Sequence, residues 1–307
     1  MKTKALVLLS GGLDSLLTAK ILLDQGIKVT GLVFCGLFFT PDQAKKMAEQ
    51  LGIELKIVDF SQEHLAIVIK PKYGYGKGAN PCIDCHILML KMAREIMQKE
   101  GFDFVATGEV TGQRPMSQSA SKIKLIEKES GLTGYLLRPL CAKNLEPTIP
   151  EIKGLVDRDK LLDIAGRSRK RQNQLAIDYD IKDIPPANSG CILTEVKFGD
   201  LLRRLRKITK NIKPNDILML KVGRHEYVNN CLLIISHNKE EGDEILKLTQ
   251  PGDVLIESLN YPGPLAIVRN FGQEMSNKAT DQAQAIIKQR SKKGADKSDF
   301  EYKITHC

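Results

Sequence analysis

Six residues, Ser10-Gly11-Gly12-Leu13-Asp14-Ser15, stand directly behind an apolar run, Ala5–Leu9. Directly after them, Leu16, Leu17, Ala19, Ile21, Leu22 and Leu23 recur at helical spacing. A buried strand that feeds a helix through two consecutive glycines leaves few folds open. Glycine permits sharp backbone angles and close approach, so N–H groups of the loop and of the first helical turn can face an anion. Ser10 and Ser15 add hydroxyl donors. Asp14 is out of place in a pure anion hole unless it meets a cation, and it is expected to help hold Mg²⁺. No lysine occupies the Walker A position, which excludes a kinase-type or GTPase-type loop. A plain helix cap would need only Ser-Gly-Gly.

The same alternation continues down the chain. Strands are predicted at Val29–Phe34, Leu55–Asp59 and Phe102–Thr107, and helices at Ser15–Gln25, Pro41–Leu51 and Ile83–Glu100. Alternating strands and helices imply an α/β fold with a parallel sheet, right-handed crossovers and ligands at the carboxyl ends of the strands. Beyond Pro139 the texture changes. Prolines 147, 150, 185 and 186 punctuate a connecting region with a basic helix expected over Asp159–Tyr179, and Leu201–Lys207 reads as an amphipathic basic helix. A second, smaller α/β domain is then expected, with strands at Asp216–Val222, Leu232–Ser236, Asp253–Ser258 and Leu265–Arg269 and a helix near Glu240–Thr249. The expected division is 1–172, a nucleotide-binding domain with a cysteine-bearing insert; 173–211, a basic linker; 212–272, the small domain; and 273–307, a polar flexible tail.

The formal charge is +9, which suits polyanionic partners and equally a lysine-rich solvated surface. Ala5–Leu9 is too short for a signal-peptide core, and no apolar stretch is long enough to cross a bilayer, so a soluble cytoplasmic protein is expected. Seven cysteines, an odd number, argue against a simple disulfide framework.

The Ser10–Ser15 string resembles the SGGxDS fingerprint of the PP-loop ATP pyrophosphatase superfamily, over about the first 170 residues. The resemblance implies an adenine nucleotide alpha hydrolase-like fold. It also implies chemistry in which ATP adenylates a substrate oxygen, pyrophosphate leaves, and a second nucleophile displaces AMP. It further implies an ATP site made by Ser10, Gly11, Gly12, Asp14 and Ser15, with adenine cradled near Val33 and Phe34 and near Thr107 and Gly108.

Cysteines separate the branches of that superfamily. Asn80-Pro81-Cys82-Ile83-Asp84-Cys85-His86 places two thiols at the start of a helix behind a glycine loop, and Asn188-Ser189-Gly190-Cys191 offers a third. Helix N-termini favour the thiolate, which both ligates metal and carries sulfur. Four readings follow. Haem attachment matches Cys-x-x-Cys-His literally but normally requires export. Zinc would need four ligands, for example Cys82, Cys85, His86 and Cys191. A redox pair, with persulfide on one thiol, needs no metal. The fourth comes from resemblance. Asn-Pro-x-x-x-Cys is similar to the tRNA 2-thiouridylase segment whose catalytic cysteine matches Cys85. Cluster-dependent tRNA thiolases carry, in addition, cysteines matching Cys82 and Cys191. The last reading implies a [4Fe–4S] cluster on Cys82, Cys85 and Cys191 with one open iron for sulfur chemistry, and is the favoured one. Cys35, Cys141, Cys231 and Cys307 are assigned no role.

Thr107–Gln118 resembles the TGExxGQxxSQ segment of 4-thiouridine synthetases, departing from it at Arg114-Pro115-Met116; Glu109 and Gln113 are candidates to orient ribose, Mg²⁺ or the target base. Two basic clusters, Arg167, Arg169 and Lys170, then Arg203 and Arg204, are expected to meet RNA phosphates. Leu220–Arg224, Gln250–Glu257 and Tyr261–Pro264 are similar to elements of the RNA-associated NFACT-R domain. The expectation is an ATP-dependent sulfurtransferase acting on a tRNA uridine, supplied by sulfide or a persulfide carrier; the alternatives are a sulfur insertase or amidating ligase acting on a small molecule, and a non-catalytic RNA-binding quality-control protein.

Overall fold

The structure, a computed structural model, describes residues 2–181 and 191–307. The chain divides into two compact units, Met1–Thr194 and Glu195–Cys307.

In the first unit the elements run β1 (Lys4–Leu8), α1 (Leu13–Asp24), β2 (Lys28–Cys35), α2 (Asp42–Leu51), β3 (Glu54–Asp59), α3 (Ser61–Ile69), α4 (Cys82–Glu100), β4 (Phe104–Ala106), α5 (Ala120–Ser130), β5 (Leu136–Leu137), α6 (Ile149–Ile152) and α7 (Lys170–Asp178). The five strands are all parallel, in the order β3-β2-β1-β4-β5. Strand side chains alternate between faces, so both faces must be covered by helices. Ala5 and Val7 of β1 pack with α1, α2 and α7 through Leu17, Ala48 and Ala176, while Leu6 packs on the other side with α4 and α5 through Leu90 and Ile126. The chain leaves β1 towards β2 and β3, then returns to β4 on the opposite side of β1. That reversal opens a crevice at the carboxyl ends of β1 and β4, where open α/β sheets bind ligands.

The second unit contains α8 (Val196–Ile208), α9 (Pro214–Met219), β6 (Arg224–Val228), β7 (Cys231–Ile235), α10 (Lys239–Lys247), β8 (Val254–Ser258), β9 (Ala266–Arg269), α11 (Asn277–Arg290) and β10 (Tyr302–His306). Its sheet is antiparallel, ordered β10-β8-β9-β7-β6. Buried Arg269 is fully occupied by Asp253, Asp216, Asn215 and the Leu248 carbonyl. The aspartate of the Pro-Gly-Asp string is therefore a core strut.

Three expectations give way. Asp216–Val222 is not a strand. Pro214 opens helix α9, and Asp216 accepts the Lys213 N–H and an Arg269 ion pair. Of the helix expected over Asp159–Tyr179, only Lys170–Asp178 is α-helical. Residues Arg158–Lys160 form a 3₁₀ turn, and Gly166 at φ +81° breaks the run. The polar tail is not a tail: Ala279, Ala283 and Ile287 bury one face of α11, and β10 pairs with β8 from Tyr302↔Ser258 to His306↔Val254. Small alanines make a weak periodic signal, and a strand that pairs with a distant partner shows no local one.

Candidate active site

The phosphate-type loop is held in shape from inside. Ser15 donates its hydroxyl to the Gly12 carbonyl at 2.8 Å, and its oxygen accepts the Ser10 N–H at 3.3 Å. Gly11 lies at φ +81°, and a Cβ there would fall 2.6 Å from the Gln43 Cβ, so no other residue fits. Gly12 is the extended residue before α1, and the N–H groups of Gly11, Gly12, Leu13 and Asp14 are not spent on carbonyls of the described residues. That row of free donors at a helix start suits a phosphate chain.

Asp14 projects from the first turn of α1. One carboxylate oxygen, Oδ2, accepts from Gln113 Nε2 at 2.7 Å and lies 3.5 Å from Arg169 Nη2. Its other oxygen, Oδ1, is buried and has no partner in the described residues. A buried, unclaimed carboxylate oxygen beside a row of amide donors is the arrangement a hard cation bridging to phosphates would complete. Behind it, Gln113 Oε1 accepts from Gln172 at 3.2 Å, and Gln172 is fully buried with its own oxygen unclaimed. Arg169, read from sequence as an RNA contact, therefore stands on Asp14. Arg167 and Lys170 are exposed.

Strand geometry brings the other expected nucleotide residues to the same edge. Leu9 donates to the Leu32 carbonyl. Backbone direction alternates along a strand, so Phe34 turns its N–H and C=O to that side, past the end of β1. Val33 and Phe34 are buried at this edge. Thr107 ends the β4 segment with its N–H on the Leu137 carbonyl, and Gly108 lies against the loop itself: a Cβ at Gly108 would come within 2.6 Å of the Asp14 carbonyl carbon.

From Gly108 the chain runs into Glu109, the centre of a buried polar group that sequence reading found only in part. Its carboxylate accepts from His86 Nδ1 at 2.8 Å, Arg138 Nε at 3.0 Å and Thr107 Oγ1 at 3.2 Å. Arg138 is itself buried and reaches Glu127 at 2.8 Å. Burial by itself would push the Glu109 carboxyl up, but the Arg138 guanidinium and the His86 ring outweigh it and hold it down at about 2. The sequence signal for Arg138 was a charged residue inside the apolar string Leu136-Leu137-Arg138-Pro139-Leu140. Cys141 is buried and donates to the Glu109 carbonyl at 3.3 Å.

A pH test follows with a definite sign. Because the folded Glu109 carboxyl is depressed, its contribution is fully present above about pH 4.5 and is lost as pH falls towards 2. The stability gap between wild type and Glu109→Gln should therefore narrow across that window, from about 3 kcal/mol at neutral pH. Denaturant melts of both proteins across that pH range check it, and a gap that does not change with pH would refute it.

His86 carries this network to the cysteines. Cys82 and Cys85 open α4, with Pro81 preceding it, and the Asp84 carboxylate accepts the N–H groups of Lys72 and Tyr73 at 2.8 and 3.1 Å. Cys85 is buried, whereas Cys82 and Cys191 are half-buried. Burial pushes the Cys85 thiol up, and Cys191 and Cys82 add to the rise. Ala79 donates to the Leu193 carbonyl at 2.8 Å, fastening the segment after Cys191 to the glycine loop before Cys82. Asn188, Ser189 and Gly190 lie outside the described residues. Among the described residues no three His, Cys, Asp or Glu side chains are placed to hold one metal ion, and His86 Nδ1 is taken by Glu109, so neither the four-ligand zinc set nor the three-cysteine cluster set is preformed.

In the second unit, Arg203 and Arg204 project from the exposed side of α8; Arg203 meets Asp200 at 2.5 Å, and Arg204 lies 5.7 Å from the Tyr227 ring centre. Among the described residues no helix is long and apolar enough to cross a membrane.

A parallel β3-β2-β1-β4-β5 sheet with a glycine loop at its switch point is an α/β fold of the HUP type. Residues 3–165, just over half of the chain, match the family model described as the tRNA methyl transferase HUP domain, and the chain belongs to that family. Curated relatives include the tRNA-specific 2-thiouridylase MnmA of Marinobacter nauticus, 26% identical in an alignment of 245 residues that covers 73% of this chain and 59% of that protein. The enzyme of the same name from Francisella tularensis subsp. novicida is 27% identical in an alignment of 239 residues that covers 73% of this chain and 63% of that protein. The chain thus spans about six tenths of the length of these relatives. Among solved structures, a predicted subunit of tRNA methyltransferase from Methanocaldococcus jannaschii matches with a TM-score of 0.41 and 17% identity, over 70% of this chain and 91% of that one.

Proposed function

We propose that the chain is an ATP-dependent tRNA thiouridine synthase. The carrying observation is the buried Glu109. It ties the loop that lies on Asp14 to His86, and so to the cysteine-bearing start of α4. A nucleotide site and a sulfur site on opposite ends of one rigid bridge suit a reaction with two halves. Kinship with tRNA-specific 2-thiouridylases supports the choice of substrate.

In the first half, the amides of Gly11–Asp14 and the Ser10 hydroxyl hold the phosphates of ATP, with adenine against the backbone near Phe34 and Thr107–Gly108. Asp14 offers Oδ1 to Mg²⁺, which when bound neutralises charge on the phosphates. Arg169 is placed to exchange Asp14 for phosphate oxygen. A uridine carbonyl oxygen attacks the α-phosphorus, and pyrophosphate leaves. In the second half a sulfur nucleophile attacks the activated carbon, and AMP departs with the former carbonyl oxygen. A [4Fe–4S] cluster held by Cys82, Cys85 and Cys191 would supply hydrosulfide; in the metal-free route a persulfide carrier loads Cys191 or Cys85, the terminal sulfur bonds to the carbon, and the other thiol then breaks the S–S bond, releasing the thiolated base and leaving a disulfide. Exposed Arg167, Lys170, Arg203 and Arg204 are assigned to RNA phosphates, and the second unit to an NFACT-R-like RNA-associated role.

Mass analysis of tRNA nucleosides tests this. A strain lacking the gene should lose one thiouridine, and purified protein with ATP and sulfide should restore it. Unchanged nucleosides, together with no tRNA-stimulated pyrophosphate release in vitro, would overturn the proposal.

A further inference from the structure

Asn80 precedes Cys82 by two residues and is buried at 8% exposure. Its backbone carbonyl accepts the Gly76 N–H at 2.9 Å, and its side-chain Oδ1 accepts the Gly78 N–H at 3.1 Å. An amide whose oxygen is claimed by an N–H donor has one orientation open to it. The NH₂ group must then face the other way, and there it meets the Cys82 sulfur at 3.0 Å, with Met116 Sδ at 4.0 Å. Sulfur is a weak acceptor, so a contact that short marks a sulfur held in place rather than brushed.

The loop cannot relax away from this contact. A Cβ at Gly76 would lie 2.4 Å from Asn80 Nδ2 and 2.7 Å from Met116 Sδ, so glycine is what lets the loop wrap the amide. A Cβ at Gly78 would lie 2.4 Å from the Leu193 carbonyl oxygen, so the same loop is closed against the segment that follows Cys191. The two thiols of the pair differ accordingly. Cys85 is turned into the core beside Ile87 and Leu90, while Cys82 is half-buried and carries the amide contact.

We infer that Asn80 is the positioning residue of the cysteine pair: its side-chain N–H fixes the half-buried Cys82 sulfur, while the core holds Cys85. The purpose of this device rests on the sulfur-transfer reading above, but the device itself is testable without it.

The test is alkylation of the reduced, chelator-treated full-length protein with limiting iodoacetamide, read for each cysteine by peptide mass spectrometry. Asn80→Asp keeps the side-chain shape and the acceptor for Gly78 but removes the donor; Asn80→Ala removes both without adding charge. In both variants Cys82 should react about fivefold more slowly relative to Cys35, the factor expected for one net hydrogen bond, while Cys191 keeps its rate. A residue that merely braced the loop would give the opposite sign, because loosening would expose Cys82 and Cys85 and speed both. Cys82 rates that are unchanged or faster in the two variants therefore overturn the inference, whatever happens to thiolation. A slowed Cys82 in a protein that thiolates no tRNA would uphold the role of Asn80 and sink the functional reading instead.

Discussion

Asp14→Ala should cut tRNA-dependent pyrophosphate release by about a thousandfold, the loss typical of removing a group that stabilises charge in a dry, preorganised site. The reason is geometric. Asp14 Oδ1 is buried with no partner among the described residues, and removing the side chain removes the negative charge it would offer a cation. Folding should survive, because the side chain stands in a loop-edge crevice and contributes no apolar packing. Arg169→Ala is expected to follow Asp14→Ala in direction, with ATP affinity and turnover both falling, since its guanidinium lies 3.5 Å from the Asp14 carboxylate. Its effect on tRNA binding, and on the salt dependence of that binding, should be small. Pyrophosphate release assays across a Mg²⁺ titration check both variants. Undiminished Mg²⁺-dependent release by Asp14→Ala would sink the assignment of the loop. A normal ATP response with a flattened salt slope for Arg169→Ala would return that residue to the RNA surface.

Removing any one of Cys82, Cys85 or Cys191 should cost most of the bound iron and all sulfur transfer, if the three jointly hold a cluster. The separation of Cys191 from the pair makes shared behaviour a demanding expectation. The persulfide route predicts a different pattern, in which Cys191→Ser and Cys85→Ser abolish transfer, Cys82→Ser is tolerated, and iron is irrelevant. Iron, zinc and acid-labile sulfide are to be measured in anaerobically purified wild type, the three serine variants, and Cys35→Ser as the control. Iron-free wild type that still thiolates tRNA would rule out the cluster and leave the ATP chemistry standing.

Much of the first unit was legible in the residues because its signals are local. A buried parallel strand is an apolar run, a covering helix repeats at 3.6, and two glycines between them mark a ligand loop; β1, α1, β2, α2, β3 and α4 all lie within a few residues of where those patterns put them. The two-residue β5 and the polar helix α5 went unread, since neither carries enough periodicity to stand out. The second unit was legible in β7, β8, β9 and α10 and misread at α9, where a proline at the first helical position outweighs the β-like string after it. Its last strand was invisible, because β10 exists only through its pairing with β8.

The site divides along the same line. Residue type and spacing singled out Ser10–Ser15 and the pair Cys82 and Cys85, because those residues are neighbours in the chain, whereas Cys191 stands far from the pair and has no local link to it. Tertiary structure decided what those residues face. It set Arg169 on Asp14, turned His86 from a possible metal ligand into the partner of Glu109, and buried Arg138 and Gln172 behind the site. It also separated Cys82 from Cys85 by burial and by the amide of Asn80. Partners such as Asp14 and Gln113, ninety-nine residues apart, meet only because the crossover from β3 returns the chain beside β1. Such contacts carry no sequence period: a charge or an amide reads the same whether it ends in solvent or against a buried carboxylate, and only the packed sheet with its covering helices decides which.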